Sequence, residues 1–395
     1  MLCSKSAIST KDKRGAIVLG GDAQGLGIAR ALGECDIPVI IFSWEYGIAK
    51  FSRYVQREVK IPPPWRQKEY LSAIRKYIRE FNLKGWIAYP TDDDSVLCIA
   101  KFGKELGLTT WGVNSKQHDA VVDKLSFSRL ANRFGLKVPY SLLFTEVDRK
   151  ADIVFPAVIK PRVKEPFVRI TKKKAIRVNS FDELQLTVKK MNSAIPKEHL
   201  VIQELIPGRG QHQLSYAALF WDGNPLAELV ACRKRQHPSD FGRASTYVYT
   251  VEDEEVHIIG RKVLSELGYT GLAEVEFKRH SNTGELYLLE VNPRTWGWHT
   301  LVRAAHGNWI AWLHAILDGE EPLIPSSQVQ ASWVKLITDL PTAFLELIKG
   351  EVKLRDLIRD YYRRPMAFAS LDKKDFIPFI MEWFLIPYLS MKRGY

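Results

Sequence analysis

The chain has 395 residues, 46% of them hydrophobic and 26% charged. That composition excludes a disordered protein and supplies enough chain for two or three domains, each with its own core. Lys and Arg outnumber Asp and Glu by 57 to 45, a formal charge of +12, which suits anionic partners such as nucleic acid, a membrane surface or phosphorylated ligands. Four scattered cysteines without a C-x-x-C pair exclude a disulfide scaffold and a cysteine zinc site, and fit a reducing cytoplasm. The apolar runs are too short to span a bilayer, and the first residues lack the apolar segment of a signal peptide.

In chain order, AIVLGG at 16–21 reads as a buried parallel strand, GLGIARALGECD as a helix and PVIIFS as a second strand. The strand–helix–strand order is a βαβ unit. After PPPWRQ come a helix spaced on Tyr70, Leu71, Ile74, Tyr77 and Ile78, the strand GWIAYP, the acidic turn TDDD and the helix SVLCIAKFGKELG, so residues 15–115 read as a doubly wound α/β domain. From Asp119 the texture changes. A helix, AVVDKLSFSRLANRFG, precedes apolar, β-rich runs broken by WDGN and SNTG, the pattern of an antiparallel α+β domain. Beyond residue 320 the chain becomes helical and aromatic.

The glycines of GGDAQGLG, at 20–27, follow the first strand as a dinucleotide fingerprint would, but Asp22 stands where the backbone must approach a pyrophosphate. A tight strand–helix turn is the better reading. A stronger signal lies at 271–294. Glu274 and Glu276 alternate along one strand, Glu290 and Asn292 along the next, and a hairpin through SNTG brings Glu276 beside Glu290 and Asn292. Carboxylates on apolar strands are costly unless a cation satisfies them. Oxygen ligands of this kind suit magnesium (manganese is the alternative), which binds one or two carboxylates together with substrate phosphates. Arg294 follows on the same face, placed to steady a developing anion. Lys160 ends the strand PAVIK, and Lys124 opens a helix.

The order of these segments is more specific than any one of them. DKLSFSRLANRFGLKVP, PAVIKP, VIQELIPG, AEVEF and LLEVNPR together resemble the ATP-grasp superfamily, and within it carboxylate–amine ligases related to D-aspartate ligase and biotin carboxylase. The resemblance covers roughly residues 15–320. It implies an N-terminal pre-ATP-grasp α/β domain at 1–118, a two-lobed ATP-grasp domain at 119–320 and a helical extension at 321–395. It also implies phosphate contacts from Lys124 and Lys160, adenine contacts from Gln203 and the segment Glu204, Leu205 and Ile206, and a ribose contact from Gln211 or His212. Glu276, Glu290 and Asn292 match its magnesium positions, and Arg294 its anion-steadying arginine.

Two departures stand out. The loop after Lys160, PRVKEPFVRITKKK, is basic and glycine-free, so charge on Lys172, Lys173 and Lys174 replaces a glycine cradle; the last 75 residues match no part of the shared core. In CRKRQHP, Arg233 and Arg235 share a strand face and form a fork for a carboxylate substrate. His299 and His306 follow Arg294 toward the same acceptor side, although a core or helix-cap role is the simpler reading of either.

The resulting expectation is a cytoplasmic, ADP-forming ligase that uses ATP and magnesium to condense a small-molecule carboxylate with an amine. A homodimer is left open, as is peripheral membrane contact through the apolar residues 376–389. The rivals are a basic nucleic-acid-binding protein and a catalytically silent ATP sensor. The stretch 160–177 holds one aromatic, Phe167, too few for a base-stacking platform, and the complete Glu276, Glu290 and Asn292 set speaks against silence.

Overall fold

The structure, a computed structural model, describes residues 14–112, 114, 121, 123–147, 152–162, 167, 171, 175–191, 195–237, 244–363 and 365–393. The first unit contains β1 (Ala16–Leu19), α1 (Ala23–Gly33), β2 (Val39–Ser43), β3 (Val55–Lys60), α2 (Gln67–Glu80), β4 (Ile87–Pro90) and α3 (Asp93–Phe102). Its strands are parallel, in the order β3-β2-β1-β4. Strand alternation divides β1 between two cores: Ala16 and Val18 pack with Leu26 and Ile28 of α1, whereas Ile17 and Leu19 pack with Ile74 of α2 and Ile99 of α3. This is the doubly wound arrangement read from the apolar runs. The polar strand β3 carried no such signal; it lies at the sheet edge, where one side is open to water.

A second unit contains α4 (Lys124–Arg133), β5 (Ser141–Leu143), β6 (Ala157–Pro161), β7 (Ile176–Val178), α5 (Phe181–Met191) and β8 (Leu200–Glu204). Its antiparallel sheet runs β5-β8-β6-β7. Ala157, Ile159 and Ile202 point into a core shared with Leu184 and Val188 of α5. The alternate positions Val158, Lys160 and Gln203 are thereby left for the other face, toward a cleft.

The largest sheet is built from β9 (Gln213–Trp221), β10 (Asn224–His237), β11 (Ala244–Val251), β12 (Gly271–Arg279) and β13 (Leu286–Asn292), with α6 (Glu254–Glu266) between β11 and β12. There follow α7 (Leu301–Ala305), α8 (Trp309–Leu317), β14 (Ser332–Val334), α9 (Leu336–Ile348), α10 (Leu354–Tyr362), β15 (Met366–Phe368), α11 (Ile377–Phe384) and α12 (Ile386–Arg393). The strand order is β13-β12-β9-β10-β11-β14-β15. The C-terminal segment is therefore helical for most of its length, but it also adds two three-residue strands to the sheet.

One face of this sheet, including Tyr216, Val275 and Phe277, packs on Val256, Val263 and Leu264 of α6. The other buries Leu219, Leu229 and Leu272 against Trp296, Trp298 and Trp309. Asp375, just before α11, ties the C-terminal segment to the first unit: it accepts from Arg30 Nε at 2.9 Å and Ser52 Oγ at 2.7 Å. The 376–389 segment thus begins at a buried anchor on the chain's own core.

Arg235 corrects the sequence reading. The register of β10 against β11 shifts between Arg233 and Arg235 and again before Gln236. This bulge breaks the simple alternation that would have set the two arginines on one face. Arg235 is 2% exposed and lies over the Tyr247 ring, with Nη1 2.7 Å from Asp360 and Nη2 2.9 Å from Asp339. It clamps α9 and α10 to the sheet and is no part of a substrate fork. Replacing Arg235 with Met leaves two buried aspartates without it, so stability measured by denaturant unfolding is expected to fall by roughly 3–5 kcal/mol. A loss within experimental error would show that the clamp is dispensable.

His299 gives the fold an acid-sensitive contact. A Cβ on Gly27 of α1 would stand 2.6 Å from its Nε2, so a glycine is needed for α1 to approach. Nδ1 lies 2.9 Å from the Trp296 carbonyl, and burial pushes the imidazole down to about 4. The folded protein keeps His299 neutral while the unfolded chain takes up a proton near pH 6.5. Stability is thus retained above that pH and lost as pH falls from it toward 4. Between pH 7 and pH 5 the loss due to this one group is about 2 kcal/mol. Unfolding of wild type and His299→Gln at both pH values tests this: the variant should lose correspondingly less, and equal losses would assign the acid sensitivity elsewhere.

Candidate active site

A cleft of about 1000 Å³ is lined from all three units. The first unit offers two turns that follow strands β1 and β4, Gly20 to Asp22 and Thr91 to Asp94. These flank the point where the parallel sheet reverses its winding, the usual crevice of such sheets. Asp22 caps α1, accepting the amides of Gln24 and Gly25, which is the tight turn expected in place of a dinucleotide site. Gly20 has φ +127°, and a Cβ there would stand 2.0 Å from Thr91 Oγ1, so only glycine lets the two turns approach. Asp92 caps α3 by accepting from Ser95, and its burial pushes it up to about 6.

The carboxylate hairpin forms in the expected register. Glu276 stands directly opposite Glu290, and Glu274 opposite Asn292. Asn292 Nδ2 donates to Glu274 Oε2 at 3.0 Å and to Glu276 Oε1 at 3.1 Å. Arg233 reaches across from β10 to within 2.9 Å of Glu276 Oε1 and 3.8 Å of Glu274 Oε1. Ser215 Oγ and Trp298 Nε1 donate to Glu274 at 2.9 and 3.0 Å. Burial, reinforced by the Glu276 charge, pushes Glu274 up to about 7.

Arg294 donates to Asp93 Oδ1 at 2.6 Å and to Asn292 Oδ1 at 3.1 Å. Burial opposes its charge, but Asp93 more than compensates and holds it above the ordinary arginine range. On the second unit, Lys160 Nζ donates to Gln203 Oε1 at 2.6 Å, and Gln203 Nε2 to Ser141 Oγ at 2.9 Å. Glu204, Leu205 and Ile206 continue along the same wall.

The cleft therefore brings together Lys160, Gln203, Glu204, Leu205, Ile206, Arg233, Glu276, Glu290, Asn292 and Arg294. Gln211, His212, Arg235, His299 and His306 are not among its lining residues. His212 sits against Gly208 instead, where burial lowers its pKa, and the lining position nearby is Gln213, whose Nε2 is 3.4 Å from Glu276 Oε2. Lys124 begins α4, but its side chain, like Lys172, Lys173 and Lys174, lies outside the described residues.

Several lining residues escaped the sequence reading. Lys278 continues the Glu274, Glu276 alternation and donates to the Gly208 and Arg209 carbonyls at 2.5 and 3.1 Å; burial, then Arg233, pushes it down to about 8. The period-two pattern could have found it. Trp296 follows Arg294 by two residues, whereas Asp93, Lys335, Glu382 and Leu385 are long-range neighbours that no local pattern signals.

Among the described residues no group of three His, Cys, Asp or Glu side chains is arranged to cage a metal alone. Two facing carboxylates and an amide still fit magnesium, because that ion keeps positions for phosphate oxygens and water.

No protein-family model matches the chain. It is 22% identical over 309 residues to the D-aspartate ligase of Enterococcus faecium (strain Aus0004), covering 70% of each protein. Its structure resembles that of an L-amino acid ligase from Bacillus licheniformis, with TM-score 0.61, 18% identity and coverage of 78% of this chain and 75% of that one. It also resembles the biotin carboxylase domain of the Hydrogenobacter thermophilus 2-oxoglutarate carboxylase, solved as a dimer with MgADP, ADP and bicarbonate. There the TM-score is 0.64, the identity 17% and the coverage 80% and 72%. The parallel N-terminal sheet, the two antiparallel lobes and the cleft they line are those of the ATP-grasp fold, and the chain has that fold.

Proposed function

We propose that the protein is an ADP-forming carboxylate–amine ligase that uses ATP and magnesium. The observation that carries this reading is the β12–β13 register, which sets Glu276 opposite Glu290 beside Asn292 and Arg294 in a cleft whose other wall carries Lys160. The similarity to D-aspartate ligase supports the same reaction class. In this reading residues 1–118 are the pre-ATP-grasp domain, 119–320 the ATP-grasp domain and 321–395 an extension. The partners are small carboxylates and amines, not nucleic acid, and the compartment is the cytoplasm.

ATP supplies the phosphoryl group; Glu276, Glu290 and Asn292 would hold magnesium, which would supply positive charge at the phosphates. Lys160 adds a second cation from the opposite wall, with Gln203 to Ile206 as the segment along which adenine lies. The substrate carboxylate oxygen attacks the γ-phosphorus, the bond to ADP breaks, and an acyl phosphate forms. Arg294, fixed by Asp93 and Asn292, faces the anion without having to reorganise. The amine nitrogen then bonds to the acyl carbon, inorganic phosphate leaves, and the nitrogen loses a proton to give the amide. Most of the catalysis is positioning and charge neutralisation.

Two experiments test this reading. An ADP-release screen across carboxylate–amine pairs, with mass detection of the product, should find pairs that yield ADP together with a condensed amide. Nucleotide turnover without condensation for every pair would reject the ligase. Glu290→Gln keeps the side-chain volume and removes one charge from the ion's shell. Its turnover should drop by at least ~100-fold with magnesium present, and wild-type rates would remove Glu290 from the metal site.

A further inference from the structure

α11 has two dissimilar sides. On one, Glu382 is 2% exposed, accepts from Ser370 Oγ at 2.5 Å and lies 3.5 Å from Lys335 Nζ. Glu382 and Leu385 line the cleft. The rest of the helix surface, with the residue before it, carries Phe376, Ile377, Ile380, Trp383 and Phe384, exposed by 46, 60, 41, 43 and 73%. Phe376, Ile380 and Phe384 are spaced four apart and form one stripe. Monomeric proteins rarely leave so many large apolar side chains together in water.

The exposed charges that adjoin this helix in the chain are basic. Between residues 373 and 391 the only acids are Asp375 and Glu382. Both are buried, the first against Arg30 and the second between Ser370 and Lys335. Asp372, just ahead, is half-buried and accepts the Lys374 amide at 2.8 Å. Lys373 and Lys374 are exposed, and Arg53 reaches the Lys374 carbonyl at 3.4 Å. Aromatic and aliphatic side chains with flanking cations are the makeup of a helix that lies in a lipid interface. No helix among the described residues is long and apolar enough to cross a membrane.

From this combination we propose that the outer face of α11 docks on an anionic phospholipid surface. The helix lies in the interface through Phe376, Ile377, Ile380 and Phe384, Lys373 and Lys374 meet lipid phosphates, and the cleft stays on the helix's other side. This proposal does not depend on the ligase reading.

Vesicle co-sedimentation of the full chain tests it, using phosphatidylcholine alone and phosphatidylcholine mixed with phosphatidylglycerol. Light scattering of the lipid-free protein is run alongside. Binding is expected to the mixed vesicles only, and to weaken with salt. Ile377→Ser/Phe384→Ser should abolish it, and Lys373→Glu/Lys374→Glu should weaken it at least ~10-fold. All four positions are exposed, so circular dichroism and thermal unfolding of both variants should match wild type. Absence of binding to mixed vesicles overturns the proposal, as does equal binding to both vesicle types. A concentration-dependent dimer that the serine variant dissolves, without vesicle binding, overturns it too and gives the face to a second copy of the chain.

Discussion

The architecture depends on keeping a cluster of charges soluble inside the protein. Glu274, Glu276, Asn292 and Arg294 are all at most 9% exposed, on or beside a sheet whose opposite face is continuous apolar core. An isolated buried carboxylate is costly, so each must find partners before any ligand arrives. Arg233 supplies the cation, Asn292 the amide, Ser215 and Trp298 the neutral donors. Because the partners come from β9, β10, β12, β13 and the turn after β13, the charge cluster specifies the strand order as firmly as the apolar face does. A one-residue slip of β13 would send Glu290 and Asn292 to the α6 side.

The same cluster fixes the first unit to the sheet. Arg294 bonds Asp93, 201 residues earlier in the chain, and Gln24 Nε2 bonds the Thr295 carbonyl at 2.6 Å and the Thr91 carbonyl at 3.1 Å. Both contacts use the turns after β1 and β4, where the reversal of winding opens a crevice. Arg294 is in this way held by the unit that forms the far wall. Displacement of either turn would be felt at the arginine directly, since its strongest partner is a carboxylate on that turn.

Much of this was legible in the sequence because it is written in local periods. The parallel strands are short apolar runs, and alternation sets Glu274 with Glu276 and Glu290 with Asn292 on shared faces, although a register shift between Glu276 and Phe277 is what brings Glu276 opposite Glu290. Lys160 follows from a strand end, and Gln203 from the resemblance to ATP-grasp ligases. What stayed hidden depends on contacts far along the chain or on irregular backbone. Alternation put Arg233 and Arg235 on one face; the bulge between them separates the two, and Arg235 goes to aspartates 104 and 125 residues away. Strands β14 and β15 are three residues each, too short for any period to register. The Asp93 partner of Arg294 was visible only as an acidic turn, with nothing local to say which cation it meets.

The C-terminal segment is where local rules and function part most widely. Its helices carry none of the motifs read in the sequence, yet Lys335, Glu382 and Leu385 line the same cleft as the carboxylate hairpin. Their position rests on buried ion contacts, Asp375 with Arg30 and Glu382 with Lys335, besides the Arg235 clamp on Asp339 and Asp360. These close the segment over the first unit and over β14. A pocket wall built this way can vary in sequence without disturbing the hairpin, because its anchors are separate from the hairpin's own partners. The chemistry-bearing residues sit on sheets that the charge cluster specifies, whereas the helix nearest them is held by a few long-range pairs. Within this fold, that division leaves the C-terminal segment as the part of the cleft wall most free to change while the hairpin stays fixed.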